Sequence, residues 1–499
     1  MVTAIRDHLP VLVVVAPLCV SFVLPTLVRR LRLAEGLTTL IAVIGLSGAG
    51  YLASLVLSGG GTSTVYSMGG WPAPWGVELV VGSAAALMLL TAAMVSLPAV
   101  LFSVNHLSQE VGSSNRAVWF YTLFLLLYGA LAGMAVTNDI FNVYVLVEVA
   151  MLSCCGMVAA RTDSRAAESA LTYLILVSLG SALLLGGIGL IYIITGHLNM
   201  GYASQELSRI WQDYPRVVRL AASFFLVGLG VKSALFPLHV WLPDALSCAP
   251  SPASAVLSGL AVKGYLICLM KVLYNVFGGS LIQQLALDKI ITVLGMAGII
   301  AASLFALAQD ELKRRLAFST VAQLGYALLG MGLVNASALT GALFYMAAHA
   351  ASTAVLFLAA GAIVTATGKK RVSELAGIGR KMPVTMAAFT VGSLSLAGVP
   401  LFAGFVGKWN LLLGSLEAGN WLGAAAVIVG SVLCGAYLFP VIRAAYLEPA
   451  PSDDKRQDPG WLQKLSMILL GAAVIILGVM PGPFLKLARR AAVDFIAVR

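Results

Sequence analysis

Repeated apolar runs, each about as long as a membrane-spanning helix, are the feature that most constrains the fold of this chain. A hydrocarbon core of about 30 Å needs roughly 20 apolar residues in a helix. Runs of that length recur along all 499 residues, of which 60% are hydrophobic and only 10% charged. Soluble domains usually carry about 25% charged residues. The sequence therefore predicts an all-α integral membrane protein.

About fourteen membrane helices are expected, and we number them spans 1 to 14. They cover residues 9–28, 36–57, 78–103, 117–136, 139–160, 169–195, 218–241, 252–275, 288–308, 316–334, 338–365, 384–415, 421–446 and 464–484. The first run is long enough to span and is followed by three arginines, which favours a membrane helix over a cleaved signal peptide. We expect four parts, with spans 1–3 in residues 1–110, spans 4–8 in 111–276, spans 9–13 in 285–448, and span 14 with the tail in 449–499.

The basic residues predict the orientation of these spans. They are concentrated in the loops after odd-numbered spans, including residues 313–315 and 369–371. Because such clusters mark cytoplasmic loops, we expect both termini on the outer face of the cell inner (plasma) membrane. Lys486, Arg489 and Arg490 fit this orientation less well and are assigned to an interfacial helix. Topology thus explains the net charge of +10, and no nucleic-acid partner is expected.

The cysteines predict neither a metal site nor a cofactor. No two of the six have CxxC spacing, and most lie inside apolar runs. A zinc site or an iron–sulfur cluster needs a closer set of ligands. The chain also has no Walker motif and no dinucleotide-binding context for GxGxxG. We therefore expect small buried side chains at these positions, no bound cofactor and no redox centre.

Two spans are predicted to be interrupted near mid-depth. Span 7 contains Pro237 and Pro243, and span 12 contains Pro400 among several glycines. Proline removes a backbone donor and clashes with the preceding turn, so each span should bend or unwind there. The two spans are five apart and therefore run in opposite directions. This arrangement predicts two inverted five-helix repeats, spans 4–8 and 9–13, built around broken helices 7 and 12. The alternative is that these prolines only shape packing.

Five ionisable residues lie where the spans should cross the bilayer centre. An ionised side chain at that depth costs at least about 2.5–3.5 kcal/mol. These residues fall in five separate spans: Glu148, Lys232, Lys263, His349 and Lys408. Any one of them alone could be a structural ion pair, or a neutral histidine bonded to a nearby carbonyl. Lys271 lies near the end of span 8 and is expected to snorkel to the surface.

The chemistry of these residue types favours proton movement. Desolvation lowers the pKa of a lysine and raises that of a glutamate, and a nearby opposite charge reverses both effects. A lysine whose carboxylate partner approaches or retreats can therefore exchange a proton near neutral pH. Arginine cannot release a proton in this range and is absent from the mid-depth positions.

Four segments carry a resemblance to a known family. They are TNDIFNVYVLVEVAMLS, LFPLHVWLPDALSCAPSPASAVLSGLAVKGYL, DELKRRLAFSTVAQLGYALLGMG and AGVPLFAGFVGKWNLLLG, and they fall within roughly residues 100–415. In this order they resemble the antiporter-like subunits shared by respiratory complex I, Mrp-type Na+/H+ antiporters and membrane-bound hydrogenases. The NDIFNVYV run looks most like the Mrp D and hydrogenase types.

The resemblance implies a role for each mid-depth residue. Glu148 matches the family's span-5 glutamate and Lys232 the span-7 lysine that pairs with it. Lys263 matches the central lysine, His349 the span-11 histidine, and Lys408 the lysine beside the exit. Family members tend to have a second lysine four residues after the histidine, where this chain has Thr353. His349 would then have to bridge Lys263 and Lys408 with water.

Together these observations predict a proton-translocating subunit of a Mrp-type antiporter or of a complex I-like respiratory or hydrogenase complex. Its expected partners are sister membrane subunits and the bilayer, and its expected ions are protons, with Na+ as the second candidate. Two alternatives stay open. A self-contained transporter would bind a small solute at the helix breaks, and a structural subunit would carry idle charges.

Overall fold

The computed structural model describes residues 2–449 and 457–497, and most of these residues are helical. The first half contains α1 (Val2–Val23), α2 (Leu31–Ser58), β1 (Thr64–Ser67), β2 (Glu78–Val81), α3 (Ser83–Ser103), α4 (Leu107–Val111), α5 (Ser114–Val136), α6 (Ile140–Val158), α7 (Ser164–Thr195), α8 (Met200–Ile210), α9 (Pro215–Lys232), α10 (Trp241–Cys248), α11 (Ser251–Val256), α12 (Val262–Val272) and α13 (Gly278–Gln284). Two π-helical turns, Leu257–Ala261 and Leu273–Phe277, join α11, α12 and α13 into one continuous span.

The second half is simpler. It contains α14 (Leu287–Leu307), α15 (Leu312–Gly332), α16 (Ala336–Thr367), α17 (Pro383–Ala397), α18 (Ala403–Glu417), α19 (Trp421–Leu447), α20 (Trp461–Val479) and α21 (Gly482–Ala497). Within the described residues, 11 helices are long and apolar enough to cross a membrane. The other three predicted spans are the interrupted pairs α9–α10 and α17–α18, and α15, whose first turn is basic. The predicted helical membrane fold is confirmed, apart from the short strands β1 and β2, and the division at residues 110, 276 and 448 stays a prediction.

Pairing between loops shows that alternate loops lie at the same end of the bundle. Leu79, after span 2, forms a β-bridge with Thr137, after span 4. Glu311, after span 9, does so with Arg371, after span 11. We call the end with the loops after odd-numbered spans the inner end and the opposite end the outer end, following the predicted topology.

The outer end carries elements that the sequence predicted only in part. Strands β1 and β2 pair antiparallel where span 3 was predicted to begin, so the third helix starts at Ser83. The predicted interfacial helix is α21. Its Arg490 donates to the carbonyls of Val56 and Leu57, 3.2 and 3.3 Å away, at the end of α2. A basic residue at the outer end therefore caps a helix whose last carbonyls lack donors.

The breaks in spans 7 and 12 are confirmed, with one correction. Pro237 lies in the segment between α9 and α10, and Pro400 lies between α17 and α18. Pro243 was predicted to break span 7 but lies in the first turn of α10. Backbone N–H groups in a first turn have no partner within their helix, so proline is tolerated there.

The centre of the bundle is formed by two spans that other helices surround. The most apolar stretch of the α11–α13 span is wholly buried, and α16 is nearly so. Lys263 lies on the first of these spans, and His349 and Thr353 lie on the second. Burial on all sides explains why these helices are apolar around their whole circumference. It also places their few ionisable groups far from lipid.

A buried carboxylate ties the inner end together. Glu110 on α4 accepts hydrogen bonds from the Ser251 backbone N–H (2.6 Å) and hydroxyl (2.7 Å), where the central span begins. His106 is 3.2 Å from the same carboxylate, and Lys313 donates to the Ser251 hydroxyl. Burial alone would raise the pKa of Glu110. The His106 hydrogen bond, the Lys313 charge and Ser251 outweigh burial and lower this pKa from 4.5 to about 2.

Replacing Glu110 by glutamine should destabilise the protein by about 2 kcal/mol, since hydrogen bonds to a charged group are lost at the start of the central span. A folded-state pKa below the unfolded value stabilises the protein above pH 4.5, and this stabilisation is lost as the pH falls toward 2. Thermal unfolding in detergent should therefore show a gap between wild type and Glu110→Gln at pH 7 that narrows at pH 3.5. Glu206→Gln, in an exposed pair with Arg209, is the control. Equal unfolding temperatures at pH 7 would contradict the prediction.

Candidate functional site

Glu148 and Lys232 form the predicted ion pair inside the first half of the bundle. Lys232 is the last residue of α9, and its Nζ lies 3.0 Å from Oε1 of Glu148 on α6. Ser181 on α7 joins them, because its hydroxyl donates to Glu148 Oε1 and accepts from Lys232 Nζ, both at 2.6 Å. Sequence reasoning missed Ser181, since a lone serine in an apolar span carries little signal.

Glu148 is less buried than its lysine partner. Its side chain is 24% exposed, whereas that of Lys232 is fully buried. Phe141, Val145 and Leu152 are exposed at helical spacing on the same side of α6. We call these three residues and Glu148 the α6 face. A mid-depth carboxylate at the edge of the chain requires a covering group, because lipid cannot solvate it.

The break after α9 is satisfied by protein groups. Ala234 takes a φ of +52° and ends the helix. The Trp241 indole N–H donates to the carbonyl of Val231 at 2.9 Å. Irregular backbone at this depth is tolerated only where such partners exist. The same indole packs edge-on against Tyr173, with ring centroids 4.6 Å apart.

Two buried tyrosine hydroxyls lie toward the inner end from the ion pair. The hydroxyls of Tyr173 and Tyr265 have no hydrogen-bond partner among the described residues. Ser169, Tyr173 and Ser181 recur at multiples of four residues along the buried side of α7. A cavity of about 180 Å³ at the inner end of this row is lined by Ser169 and Asp244, among others. Unpaired hydroxyls in a polar row are sites where buried water is expected.

Lys263 is held by the backbone of its own span. It is the second residue of α12, and its Nζ donates to the carbonyl of Ser258 in the preceding π turn. The Ser258 hydroxyl bonds to those of Thr320 (2.7 Å) and Thr353 (2.9 Å). The resemblance predicts a lysine where this chain has Thr353, whose hydroxyl belongs to the hydrogen-bonded group around Lys263. π turns are often found at functional sites.

His349 lies between the two halves of the series, as predicted. It is buried and close enough to both Lys263 and Lys408 to interact electrostatically with each. Its Nε2 has no hydrogen-bond partner among the described residues. The alternative of a histidine whose Nε2 bonds to a nearby carbonyl is therefore not observed. The ring stacks nearly parallel to that of Tyr345.

The side chain of Lys408 lies at the break in span 12. Its Nζ donates at 2.6 Å to the carbonyl of Leu396, in the last turn of α17. The same Nζ lies 4.4 Å from the ring centre of Tyr326 and 5.7 Å from that of Tyr345. A helix carboxyl end and aromatic faces both favour a cation. Within the described chain, no carboxylate lies within salt-bridge distance of Lys408.

A hydrogen-bonded group beside His349 was not predicted. The Tyr345 hydroxyl donates to Oε1 of Gln323, and Gln323 Nε2 donates to the Tyr437 hydroxyl at 2.9 Å. Ser319 continues the group at 2.9 Å from Tyr437. The sequence features that could have predicted this group are a glutamine and a serine in span 10, which is more basic and less apolar than most other spans. These groups fix Tyr345, the ring that contacts both His349 and Lys408.

The prediction that Lys271 snorkels is wrong. Its side chain is buried. Its Nζ donates to the carbonyls of Met134 (3.3 Å), Ala135 (3.1 Å) and Thr137 at the end of α5. Position near a helix end does not reveal whether a neighbouring helix covers the side chain.

The remaining titratable side chains are dispersed. Among the described residues, no group of three or more histidine, cysteine, aspartate or glutamate side chains could hold a metal ion. The six cysteines are free, and Cys154, Cys268 and Cys434 are buried, whereas Cys19 is exposed. The groups that the site assembles are amines, hydroxyls, an imidazole and a carboxylate, all of which can carry or relay protons.

Comparisons with known proteins agree with the geometry. Residues 137–434 match the family described as NADH:quinone oxidoreductase/Mrp antiporter, TM. The N subunit of an NADH-quinone oxidoreductase from Desulforudis audaxviator is 38% identical over 94% of this chain and 95% of its own. The D-type subunit of a Na(+)/H(+) antiporter from Alkalihalophilus pseudofirmus is 28% identical over 85% of this chain and 84% of its own. A chain of the membrane-bound sulfane sulfur reductase, an archaeal respiratory membrane complex, superposes with a TM-score of 0.90 and 30% identity, covering 98% of both chains. These matches do not single out the D type.

Proposed function

The chain belongs to the NADH:quinone oxidoreductase/Mrp antiporter transmembrane family, and we propose that it translocates protons as a membrane subunit of a larger complex. That complex is a Mrp-type cation/proton antiporter or a complex I-like respiratory or hydrogenase assembly, in which sister membrane subunits are its partners. Protons move along Glu148, Lys232, Lys263, His349 and Lys408. Coupling to Na+ exchange or to electron transfer belongs to the sister subunits.

The observation that carries the proposal is the pairing of Lys232. Five lysines are buried in the described part of the chain: Lys232, Lys263, Lys271, Lys313 and Lys408. Only Lys232 has a carboxylate within salt-bridge distance there. An ammonium at this depth is stable while the carboxylate is near, and burial favours the neutral amine when it withdraws. Movement of Glu148 therefore controls whether Lys232 holds or releases a proton.

The remaining groups form a series toward Lys408. Lys263 is linked through Ser258 to Thr353, and His349 lies one helical turn from Thr353 on α16. Histidine both accepts and donates a proton near neutral pH. We propose that His349 passes protons between Lys263 and Lys408. Water at the Tyr173 and Tyr265 hydroxyls would supply protons to the first half from the inner end.

The two alternatives are less well supported. A solute transporter needs a cavity of solute size at the helix breaks, but the larger described cavities lie at the bundle ends or along its side. A purely structural subunit has no use for a buried ion pair, or for a histidine between two lysines whose Nε2 lacks a partner among the described residues. Replacing a buried ion pair by apolar residues is often neutral or stabilising, so stability alone does not explain the pair.

We propose that a sister subunit covers the α6 face. Glu148 is the only ionisable residue of this face, and its exposed fraction requires a polar or cationic group of the partner in the membrane. A cation arriving there would draw Glu148 away from Lys232. Contact between subunits would thereby control the proton at Lys232.

The location follows the predicted topology. We propose that the chain lies in the cell inner (plasma) membrane with both termini on the outer face. The inner end, with Lys369, Lys370 and Arg371, would then be cytoplasmic. The four predicted parts, with spans 4–8 and 9–13 as the repeats, complete this proposal.

The ion pair provides the first test. Glu148→Ala and Lys232→Ala should each abolish proton transport, because an unpaired buried charge costs about 3–5 kcal/mol and the remaining group changes its protonation state. Ser181→Ala should slow transport without abolishing it, since both charges remain. The readout is ion-coupled pH change in vesicles that contain the assembled complex.

Ser178→Ala is the matched control for Ser181→Ala, because Ser178 lies on the exposed side of the same helix. It should transport like wild type. Wild-type transport in both Glu148→Ala and Lys232→Ala, at normal assembly, would overturn the proposed function.

His349 should be an obligatory relay. His349→Ala removes the titratable group between two lysines and should abolish transport, whereas His349→Lys should restore part of it. Thr353→Val keeps the side-chain shape but removes the hydroxyl bonded to Ser258, so transport should slow. The same vesicle measurement applies. Full transport in His349→Ala would mean that protons do not pass between the halves at this residue.

Orientation is tested by single cysteines in a chain that lacks its native cysteines. Thr62→Cys, at the outer end, should react in intact cells with a membrane-impermeant thiol reagent. Lys370→Cys should react only after the cells are permeabilised. The reverse pattern would show that the topology is inverted.

A further inference from the structure

Lys271 lies at the outer end of the central span but is withdrawn from the surface. Its side chain is 7% exposed, and its Nζ bonds to three carbonyls at the end of α5. A helix carboxyl end carries partial negative charge and favours an ammonium. Among the described residues, Lys271 has no carboxylate within salt-bridge distance. Only backbone therefore holds this amine.

A cavity joins Lys271 to the outer end. Its volume is about 350 Å³, and its lining includes Ser83, Thr137, Asn138, Lys271, Asn275 and Asp494; we call it the outer cavity. Ser83 is buried, and its hydroxyl has no partner among the described residues. Asp494 of α21 is exposed at the rim. At roughly 30 Å³ per molecule, a cavity of this size with several polar side chains in its wall has room for water.

The same helical segment carries Lys263 and Lys271 near its two ends. Both lie on α12, which is bounded by the two π turns of the described chain. Eight residues of α-helix separate them by about 12 Å along the axis. Lys263 bonds to a carbonyl of the first π turn, and Lys271 bonds to carbonyls of α5. The short helix α12 thus carries two amines that are bound to carbonyls. Lys263 lies at the protein centre, and Lys271 lies at the outer cavity.

We propose that Lys271 exchanges protons with water in the outer cavity, which gives the first half of the protein its own outward port. The proposal rests on the proposed function and extends it. Lys271 passes its proton to a water of the outer cavity and is reloaded from the Lys263 side. The Asp494 carboxylate at the rim stabilises the departing proton.

Other charged and titratable groups near Lys271 fit this assignment. Cys268, one turn earlier on α12, is buried and is not part of the cavity lining. Arg490 on α21 is held by the end of α2 and is not part of the cavity lining. Glu78 bonds to Asn138 and Asn199 beside the cavity. Asp494 is therefore the acidic side chain that lines the cavity with Lys271.

A helix cap is the alternative role for Lys271, and arginine separates the two roles. A guanidinium can donate to the same carbonyls and keep the charge, but its pKa above 12 prevents proton release. Lys271→Arg should therefore keep the end of α5 capped but prevent proton release into the outer cavity. Lys289→Gln is the control, because Lys289 is an exposed lysine at the same end on α14.

The experiment measures proton transport by the assembled complex in vesicles. Lys271→Arg should reduce transport about tenfold or more while assembly stays normal, and Lys289→Gln should change nothing. Lys271→Cys, in a chain without its native cysteines, should be modified from the outer side by impermeant thiol reagents. An aminoethyl reagent, which replaces a titratable amine, should restore part of the transport. A trimethylammonioethyl reagent, with a fixed charge and no proton to release, should restore none.

Each result decides the proposal. Normal transport in Lys271→Arg, equal rescue by both reagents, or no modification of Lys271→Cys from outside would show that Lys271 is only a helix cap. In these cases wild-type transport and the effects of Glu148→Ala and Lys232→Ala would leave the proposed function intact. Absence of proton transport in wild type would overturn both proposals together.

Discussion

Buried ammonium groups need acceptors in a bilayer, and this protein supplies most of them from its backbone. Four of the five buried lysines donate to carbonyls: Lys263 at a π turn, Lys271 at the end of α5, Lys313 after α10 and Lys408 at the end of α17. Regular helices have no spare carbonyls except at their last turn. The breaks, π turns and helix ends are therefore what allow the lysines to be buried.

Lys232 is the exception, and the proposed function depends on it. Its Nζ contacts a carboxylate, a hydroxyl and a thioether. A carbonyl that ends a packed helix is fixed, whereas the Glu148 side chain can change rotamer and lies partly at the chain edge. The other four lysines donate to backbone carbonyls, and among the described residues only Lys232 contacts a carboxylate, the group that we propose a neighbouring subunit moves. In the proposed path, the lysine that a partner can control therefore lies in the first half.

The sequence was sufficient for features that each residue reveals alone. Apolar run length gave the spans, prolines with glycines gave the two breaks, and isolated charges gave Glu148, Lys232, Lys263, His349 and Lys408. It did not give features that depend on which helices touch. Ser181 became visible only when α7 was placed against α6 and α9. Lys271 was misjudged because the covering helix, α5, is far away in the sequence.

Thr353, where the resemblance predicts a lysine, lies at the centre of the proposed proton path. A lysine at this position would have to share the protein centre with Lys263, and the two like charges would repel. Threonine instead bonds to Ser258, whose carbonyl holds Lys263. His349 lies near both Lys263 and Lys408, and Lys271 meets the outer cavity, so titratable groups remain on both sides of Thr353. With threonine rather than lysine at its centre, the proposed path depends more on a titratable imidazole and on water.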